Sequence, residues 1–172
     1  MKKAFSVIFV LLLLLASGCG GTPNPKEQFK LPMRFSASTK GSDAKYSVSI
    51  TEAFCDIEFD GSGPLCGASL HFEDGKSSST VGDFSFAINE NEFPAMKALI
   101  KSVRTLANCE TSGVRTENGF KYTIDETVIL VYYDIDTEKV IGIRTEELGR
   151  AFEFTLSDLE AYEAQSNGAS RP

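Results

Sequence analysis

Most of this chain alternates apolar and polar residues one by one. The pattern is clearest over residues 33–37, 55–60 and 84–88. Successive side chains of a β-strand point to opposite faces, so each run predicts a strand with one buried and one solvated face. The turns Asp74-Gly75 and Asn118-Gly119 separate such runs, and these dipeptides are typical of tight hairpins. Short turns join antiparallel strands, so the sequence predicts an antiparallel meander.

Two segments are predicted to be helical. Residues 94–108 have a stripe of apolar residues at helical spacing, and Pro94 suits the first helical turn. This amphipathic helix needs an apolar surface to cover, and the sheet supplies one. A short C-terminal helix is predicted over residues 157–164, because Ser157 can act as its N-cap and Glu160 completes a capping box.

Residues 127–133, TVILVYY, are apolar at nearly every position. Val128, Leu130 and Tyr132 would point to one face of a strand, and the residues between them to the other. The pattern indicates either a strand covered on both faces or a strand with one face lining a cavity.

The N-terminus has the layout of a secretory signal. Lys2 and Lys3 precede an apolar run over residues 5–15, which ends in small residues. The segment from Leu15 to Cys19 resembles the lipobox of bacterial lipoproteins. The resemblance implies that a lipid is attached to the Cys19 thiol and that the signal, residues 1–18, is removed. An ordinary signal with an incidental cysteine, or an uncleaved anchor, is the alternative.

The remaining chain divides into a tether, a domain and a tail. Residues 19–31 are rich in Gly, Pro and polar residues and are predicted to be a flexible tether after the lipidated cysteine. Residues 32–162 form the predicted domain. Residues 163–172 lack large apolar residues and are predicted to be a disordered tail.

The order of strands and turns resembles that of a known class of proteins. Glu58-Phe59, Pro64-Leu65 and Gly67, with Gly75 and Gly82 beyond, are similar to a pattern in lipid-anchored proteins of the LolA/LolB/LppX-like class. The resemblance implies a strongly curved antiparallel sheet, an incomplete barrel, with helices over its concave face. It also implies lipids or acyl chains as ligands in that concavity. The predicted fold class is therefore α+β, mainly β, with about 9–11 strands covered by one amphipathic helix and a short C-terminal helix.

The charge excludes one class of partner. The chain carries −7, and removal of Lys2 and Lys3 with the signal leaves −9. An acidic protein lacks the basic surface that nucleic acids require, so no nucleic-acid partner is predicted.

Residues for catalysis or for a metal are sparse. His71 is the single histidine and is predicted to face solvent without a nucleophilic partner. Asp56, Glu58 and Asp60 share a strand face, which suits either a hard cation or, as we favour, a solvated edge. No enzyme, metal site or cofactor is predicted.

Three cysteines remain in the mature domain. Cys55 and Cys66 flank a Gly/Pro turn, and an oxidising compartment outside the cytoplasm would permit a disulfide between them. The alternative is that Cys55, Cys66 and Cys109 are three free thiols.

Lys97, Lys101 and Arg104 lie on one face of the predicted helix. On a membrane-tethered domain such a face could approach anionic headgroups. An ordinary solvated helix face is the alternative.

Two functions fit these patterns. The first is a non-enzymatic, monomeric lipoprotein anchored at the extracytoplasmic face of the cell membrane, which binds a lipid or acyl chain in its concave sheet face. Buried binding sites are mostly apolar, and the residues predicted to line this one are Phe35, Phe84, Phe86, Leu99, Val103, Leu130, Tyr132 and Phe154. The alternative is a structural or interaction lipoprotein of the cell envelope, in which the same aromatics fill the core and the surface binds a protein partner.

Overall fold

The computed structural model describes residues 24–61 and 65–162. These residues form an 11-stranded sheet, one α-helix and two 3₁₀ turns. In chain order the strands are β1 (Met33–Thr39), β2 (Lys45–Ile50), β3 (Phe54–Asp60), β4 (Ala68–Glu73), β5 (Ser78–Val81), β6 (Phe84–Ala87), β7 (Val114–Thr116), β8 (Gly119–Ile124), β9 (Thr127–Asp134), β10 (Lys139–Glu147) and β11 (Arg150–Ala161). The helix is α1 (Pro94–Asn108), and the 3₁₀ turns span Pro25–Gln28 and Glu90–Glu92. The predicted mainly-β antiparallel class with one amphipathic helix is confirmed.

A single antiparallel sheet contains all of these strands, in the order β6-β5-β4-β3-β2-β1-β11-β10-β9-β8-β7. β6 and β7 are its two end strands, so the sheet is open rather than closed into a barrel. β11 joins the two halves: residues 150–155 pair with β10, and residues 154–161 pair with β1. The two halves are therefore staggered along β11.

The sheet curves around α1. Eight strands that are neighbours in the sheet bury apolar side chains in one continuous core with the helix. In sheet order they are β4, β3, β2, β1, β11, β10, β9 and β8. Laid flat, these strands would span about 34 Å at about 4.8 Å per spacing. A 15-residue helix is about 22 Å long and at most about 12 Å across, so it could not cover that width. The concave face must therefore wrap the helix, as the family resemblance implies.

Helix α1 forms for the predicted reasons. Pro94 occupies its first turn, where a missing backbone N–H is tolerated. Its apolar stripe is buried, and the residues that form it are Met96, Leu99, Ile100, Val103 and Leu106. The helix packs mainly on β10 and β11, while Phe93 just before it contacts Phe72 of β4 at a ring-centroid distance of 6.4 Å.

The predicted C-terminal helix over residues 157–164 is wrong for its described part. Residues 157–161 continue β11 and pair with β1, where Ser157 lies opposite Ser36 and Ala161 opposite Met33. The Ser157 hydroxyl donates to the Asp158 carboxylate at 2.9 Å instead of capping a helix. Backbone hydrogen bonds with β1 stabilise a strand here more than the capping residues stabilise a helix, because few apolar residues follow the capping pattern. Residues 163 and 164 lie outside the described part of the chain.

The predicted flexible tether is also corrected, because residues 24–31 belong to the domain. Phe29 is only 2 % exposed and packs in the core. The Gln28 side chain donates to the Glu138 carbonyl at 2.8 Å and accepts from the Val140 amide at 3.0 Å. These two bonds satisfy backbone groups at the start of β10, where β10 does not pair with β11. Residues 24–31 are called the strap below; residues 19–23 of the predicted tether lie outside the described residues.

Candidate functional site

The concave face of the sheet extends beyond the core onto β5 and β6. The pairing places Val81 between Ala68 of β4 and Phe84 of β6, and Phe86 opposite Ser79. These positions continue the rows of the buried residues Ala68 and Leu70, so their side chains share the core-facing side of the sheet. Yet Val81 is 50 %, Phe84 78 % and Phe86 52 % exposed. We call these three residues the open strip.

A groove lies beside α1 at the β4–β5 turn. Ile88 follows Phe86 at the same strand parity and packs against the core, and Glu90, two residues later, lines the groove. The groove has a volume of 310 Å³ and lies between α1 and the β4–β5 turn. Its apolar floor consists of Phe72 and Ile100, which are otherwise buried. Ile88, which lies between Phe86 and Glu90 in the chain, is therefore the apolar residue that links the open strip to the groove.

The two walls of this groove carry opposite charges. The helix wall contributes Lys97, Lys101 and Arg104, the three cations of the basic stripe predicted from the sequence. Glu73 and Asp74, where β4 enters the β4–β5 turn, form the facing wall, and Glu90 lines the groove just before α1, where it pairs with Lys97. The groove thus presents a cationic side and an anionic side over an apolar floor.

Each cation already has at least one partner in the chain. Lys97 contacts Glu90 at 3.4 Å and donates to Asn91 at 2.8 Å. Lys101 contacts Glu147 of β10 at 3.3 Å. The Arg104 Nε donates to the Thr51 carbonyl at 3.0 Å. These contacts explain the orientation of the basic stripe, while its predicted approach to anionic headgroups remains a prediction.

Both walls also have unused polar groups. The Arg104 Nη2 atom is buried and has no hydrogen-bond partner within the described part of the chain. Across the groove, no ion pair or side-chain hydrogen bond among residues 24–61 and 65–162 includes the carboxylates of Glu73 or Asp74. A buried donor without a partner is costly, so this guanidinium favours an added acceptor.

The residues predicted to line the ligand site separate into three groups. Four are packed inside the continuous core between α1 and the sheet, namely Phe35, Leu99, Val103 and Phe154. Phe84 and Phe86 are the exposed aromatics of the open strip. The third group, Leu130 and Tyr132, does not lie on the concave face.

Leu130 and Tyr132 are corrected to the convex face. In β9, Ile129 and Val131 are the fully buried residues, and their alternation turns Leu130 and Tyr132 outward. Leu130 lies between Lys121 and Arg144 of the neighbouring strands, and the Tyr132 ring covers Gly142. With both faces apolar, the sequence alone could not tell which set of β9 residues faces the core.

The predicted Cys55–Cys66 disulfide does not form, and both thiols are free. Cys55 pairs with Phe72 at one end of the β3–β4 hairpin, whereas Gly67, next to Cys66, bonds Phe59 at the other end. Four residues of strand separate the two positions by about 13 Å, and a disulfide requires Cα atoms within about 7 Å. Burial raises the pKa of the Cys55 thiol to about 12, so it is an unreactive core residue.

His71 and the acidic strand face have structural partners. The His71 Nδ1 lies 2.6 Å from the Asp56 carboxylate across the β3–β4 pair, and its ring stacks on Phe54. Asp60 accepts a hydrogen bond from Ser47 at 2.7 Å. No group of three or more His, Cys, Asp or Glu side chains in residues 24–61 and 65–162 is arranged to hold a metal ion.

A second cleft opens where β10 and β11 diverge. It has a volume of 750 Å³ and lies between the strap, the β9–β10 turn and the C-terminal half of β11. Its lining includes Ile141 and Leu159 together with charged residues, of which Glu27, Glu138 and Asp158 are examples. The lining of the first groove is apolar in the larger proportion, and the open strip contains Phe84 and Phe86, which the sequence predicted to line the ligand site, so we treat this groove and the strip together as the candidate site.

Sequence reasoning missed three parts of this site. Asp74 was interpreted only as a turn residue and Glu73 was not singled out, although the β4–β5 hairpin places both at the groove wall. Val81 faces Phe84 across the Gly82-Asp83 turn, so the hairpin pattern would have identified it as the partner of a predicted ligand-lining residue. The exposed fraction of all three strip residues depends on how many strands α1 can cover. The alternation of apolar and polar residues along a strand gives no information about that coverage.

Comparison with known proteins finds likeness among solved structures but not among sequences. No protein-family model matches the chain, and no curated protein sequence matches it. Among solved structures, it is similar to the crystal structure of a LolA superfamily protein from Nitrosomonas europaea, with 7 % sequence identity and a TM-score of 0.41. The match covers 86 % of this chain and 94 % of that chain. A TM-score of this size does not establish a shared fold, so the architecture rests on the strand order and register above. None of the described helices is long and apolar enough to cross a membrane.

Proposed function

We propose that this protein is a non-enzymatic, LolA-like lipoprotein that binds a hydrophobic ligand, a lipid or an acyl chain, on the concave face of its sheet. The observation that carries the proposal is the open strip. Val81, Phe84 and Phe86 continue the core-facing side of the sheet, but no described element covers them. Exposed aromatic surface of this kind is typical of interaction sites.

A bound ligand would cover the apolar side chains of the open strip, which α1 does not cover. The strands of the strip lie within two strand spacings of β4, which carries Phe72 of the groove floor, a distance of about 10 Å across the sheet. An acyl chain along β6 would remove Phe84 and Phe86 from water at once. The strength of binding would come mainly from this apolar area, at about 25 cal/mol per Å².

The second part of the proposal is the anchor. A lipid on Cys19 would hold the domain at the extracytoplasmic face of the cell membrane, as the lipobox resemblance implies. The strap supports a short connection, because Phe29 and Gln28 already belong to the folded domain. At most about 3.5 Å per residue, the four residues between Cys19 and Asn24 reach no further than about 17 Å. The domain would therefore stay close to the source of its ligand.

Ligand binding is tested by titrating the protein with a dansyl-labelled fatty acid and following its emission. The test variant combines Phe84→Ser with Phe86→Ser. We expect wild-type binding and a loss of more than about tenfold in affinity for the double variant, because two ring surfaces no longer contact the chain.

The matched control is Val114→Ser. Val114 is 71 % exposed on β7, at the other end of the sheet, so it controls for loss of any exposed apolar side chain. Equal losses in both variants, or no binding by the wild-type protein, would reject the proposed ligand site.

The anchor is tested separately in cells fed labelled palmitate. The wild-type chain should carry label and sediment with membranes. Cys19→Ala should lose the label, and an unchanged membrane fraction for that variant would contradict the anchor.

A second function has its own support. Phe35, Leu99, Val103 and Phe154 are packed core residues, as expected for a structural lipoprotein with a filled interior. In that case the open strip would bind a protein partner of the cell envelope. The dansyl titration separates the two functions, because a protein-docking strip has no reason to bind an isolated acyl chain.

A further inference from the structure

The groove beside the open strip has features that the proposed acyl-chain function does not use. An acyl chain needs only the apolar floor and the strip. The charged walls point to the head group of the ligand. We infer that the groove binds the zwitterionic head of a phospholipid, with the phosphate at the helix wall and the ammonium group at the β4–β5 turn. This inference rests on the proposed function, since the tail would lie along the open strip.

The size of the groove supports a head group rather than a whole lipid. Its 310 Å³ lies at the lower end of the range for small-molecule sites, about 300–1,000 Å³. The acyl portion must therefore leave the groove. The apolar route out runs past Ile88 to Phe86 and Phe84.

The charges support a ligand that carries both signs. The lining residues contribute three cations and three carboxylates, so a purely anionic head would gain from one wall and be repelled by the other. Arg104 and Lys101 lie on one side, and Glu73 and Asp74 lie opposite without forming an ion pair across the groove within the described residues. A zwitterion satisfies both walls at once.

Arg104 supplies the specific feature for phosphate. A guanidinium presents several N–H donors in a planar fork that matches phosphate oxygens. Its Nε is used by the Thr51 carbonyl, and its Nη2 has no partner among the described residues. Arg104 lines the groove, so a rotation of its side chain that turns Nη2 toward a bound phosphate oxygen would give the guanidinium a further acceptor beside the Lys101 ammonium.

The test compares three lipids with the same 14-carbon chain: lysophosphatidylethanolamine, lysophosphatidylglycerol and a neutral monoacylglycerol. Each displaces Nile red from the full chain below its micelle concentration. At about fivefold per charge contact, we expect the zwitterionic lipid to bind about fivefold more tightly than lysophosphatidylglycerol, which lacks the ammonium, and about 25-fold more tightly than the monoacylglycerol, which lacks both charges.

Two exposed positions give a distinguishing pattern. Lys101→Gln should weaken both phosphate-containing lipids about fivefold and leave the monoacylglycerol unchanged. Asp74→Asn should weaken the zwitterionic lipid alone. Both side chains lie on the surface, so the fold should tolerate the changes. The matched controls are Lys121→Gln on the convex face and Asp83→Asn in the β5–β6 turn, which should change nothing.

The failures of the two proposals are distinguishable. If all three lipids bind within twofold of one another, or if each variant weakens all three equally, the head-group inference is overturned while acyl-chain binding stands. If neither Nile red nor the monoacylglycerol binds, the proposed function fails and the head-group inference fails with it.

Discussion

The strap provides the sharpest test of the fold, because it was predicted to be a flexible tether. The same substitution can be made inside and outside the packed structure. Phe29→Ala removes a ring that is 2 % exposed, and Phe84→Ala removes one that is 78 % exposed. The two variants change composition identically and differ only in burial.

The magnitudes follow from that burial. Truncating a buried Phe to Ala costs about 3–5 kcal/mol, the sum of lost transfer free energy and of the cavity left behind. Folding removes only about a fifth of the Phe84 surface from water. Its truncation should therefore change the free energy of unfolding by no more than about 0.5 kcal/mol. Against a total stability of about 5–15 kcal/mol, the first change is large and the second is small.

Urea denaturation followed by far-ultraviolet circular dichroism measures both. We expect the midpoint to fall strongly for Phe29→Ala and to stay near wild type for Phe84→Ala, with the slope unchanged in both. A loss of less than about 1 kcal/mol for Phe29→Ala would refute the assignment of the strap to the core.

Two further predictions concern titratable side chains. Because Cys55 is buried with its pKa raised to about 12 while Cys66 is exposed, a thiol reagent at pH 8 should label Cys66 in the native protein and Cys55 only after unfolding, as read by peptide mass spectrometry. Labelling of native Cys55 as fast as Cys66 would contradict its burial. Burial also raises the pKa of Tyr46 to about 12, partly offset by its hydrogen bond with Thr39, so the folded chain keeps a proton that the unfolded chain loses above its ordinary value near 10. The free energy of unfolding should therefore fall as pH rises from about 10 to 12, and Tyr46→Phe should fall less steeply; equal slopes would show that Tyr46 does not contribute.

The sequence predicted the sheet well because the signal is local. Hairpins such as β3–β4 and β8–β9 join adjacent strands, and period-two alternation identifies the buried face wherever the other face is polar. In β3, Cys55 and Ile57 are inward as predicted. Where both faces are apolar, as in β9, that signal disappears, and Leu130 and Tyr132 were placed on the wrong side.

The errors at the two ends of the domain share a physical cause. The strap and residues 157–161 look irregular or helical in isolation, and both are held by distant partners. Gln28 bonds residues 110 and 112 positions away, and Ala161 pairs with Met33. Such contacts leave no local pattern, so only the assembled sheet reveals them.

The site itself was only half predictable. Phe84 and Phe86 were identified from their alternation, but their exposure depends on the width that α1 can cover. The basic stripe of α1 was identified from helical spacing, whereas the acidic wall at Glu73 and Asp74 depends on where the β4–β5 turn projects. The groove exists only in the folded chain, where the basic stripe of α1 and the acidic residues at the β4–β5 turn line the same space.

The central claim is that the open strip holds a lipid, and native mass spectrometry tests it most directly. Residues 20–172 would be isolated from cells without detergent and measured before and after incubation with phospholipid. The account predicts an added mass that organic solvent extracts and that the combined Phe84→Ser and Phe86→Ser variant does not retain. A clean mass of the bare chain, unchanged after incubation, would contradict it.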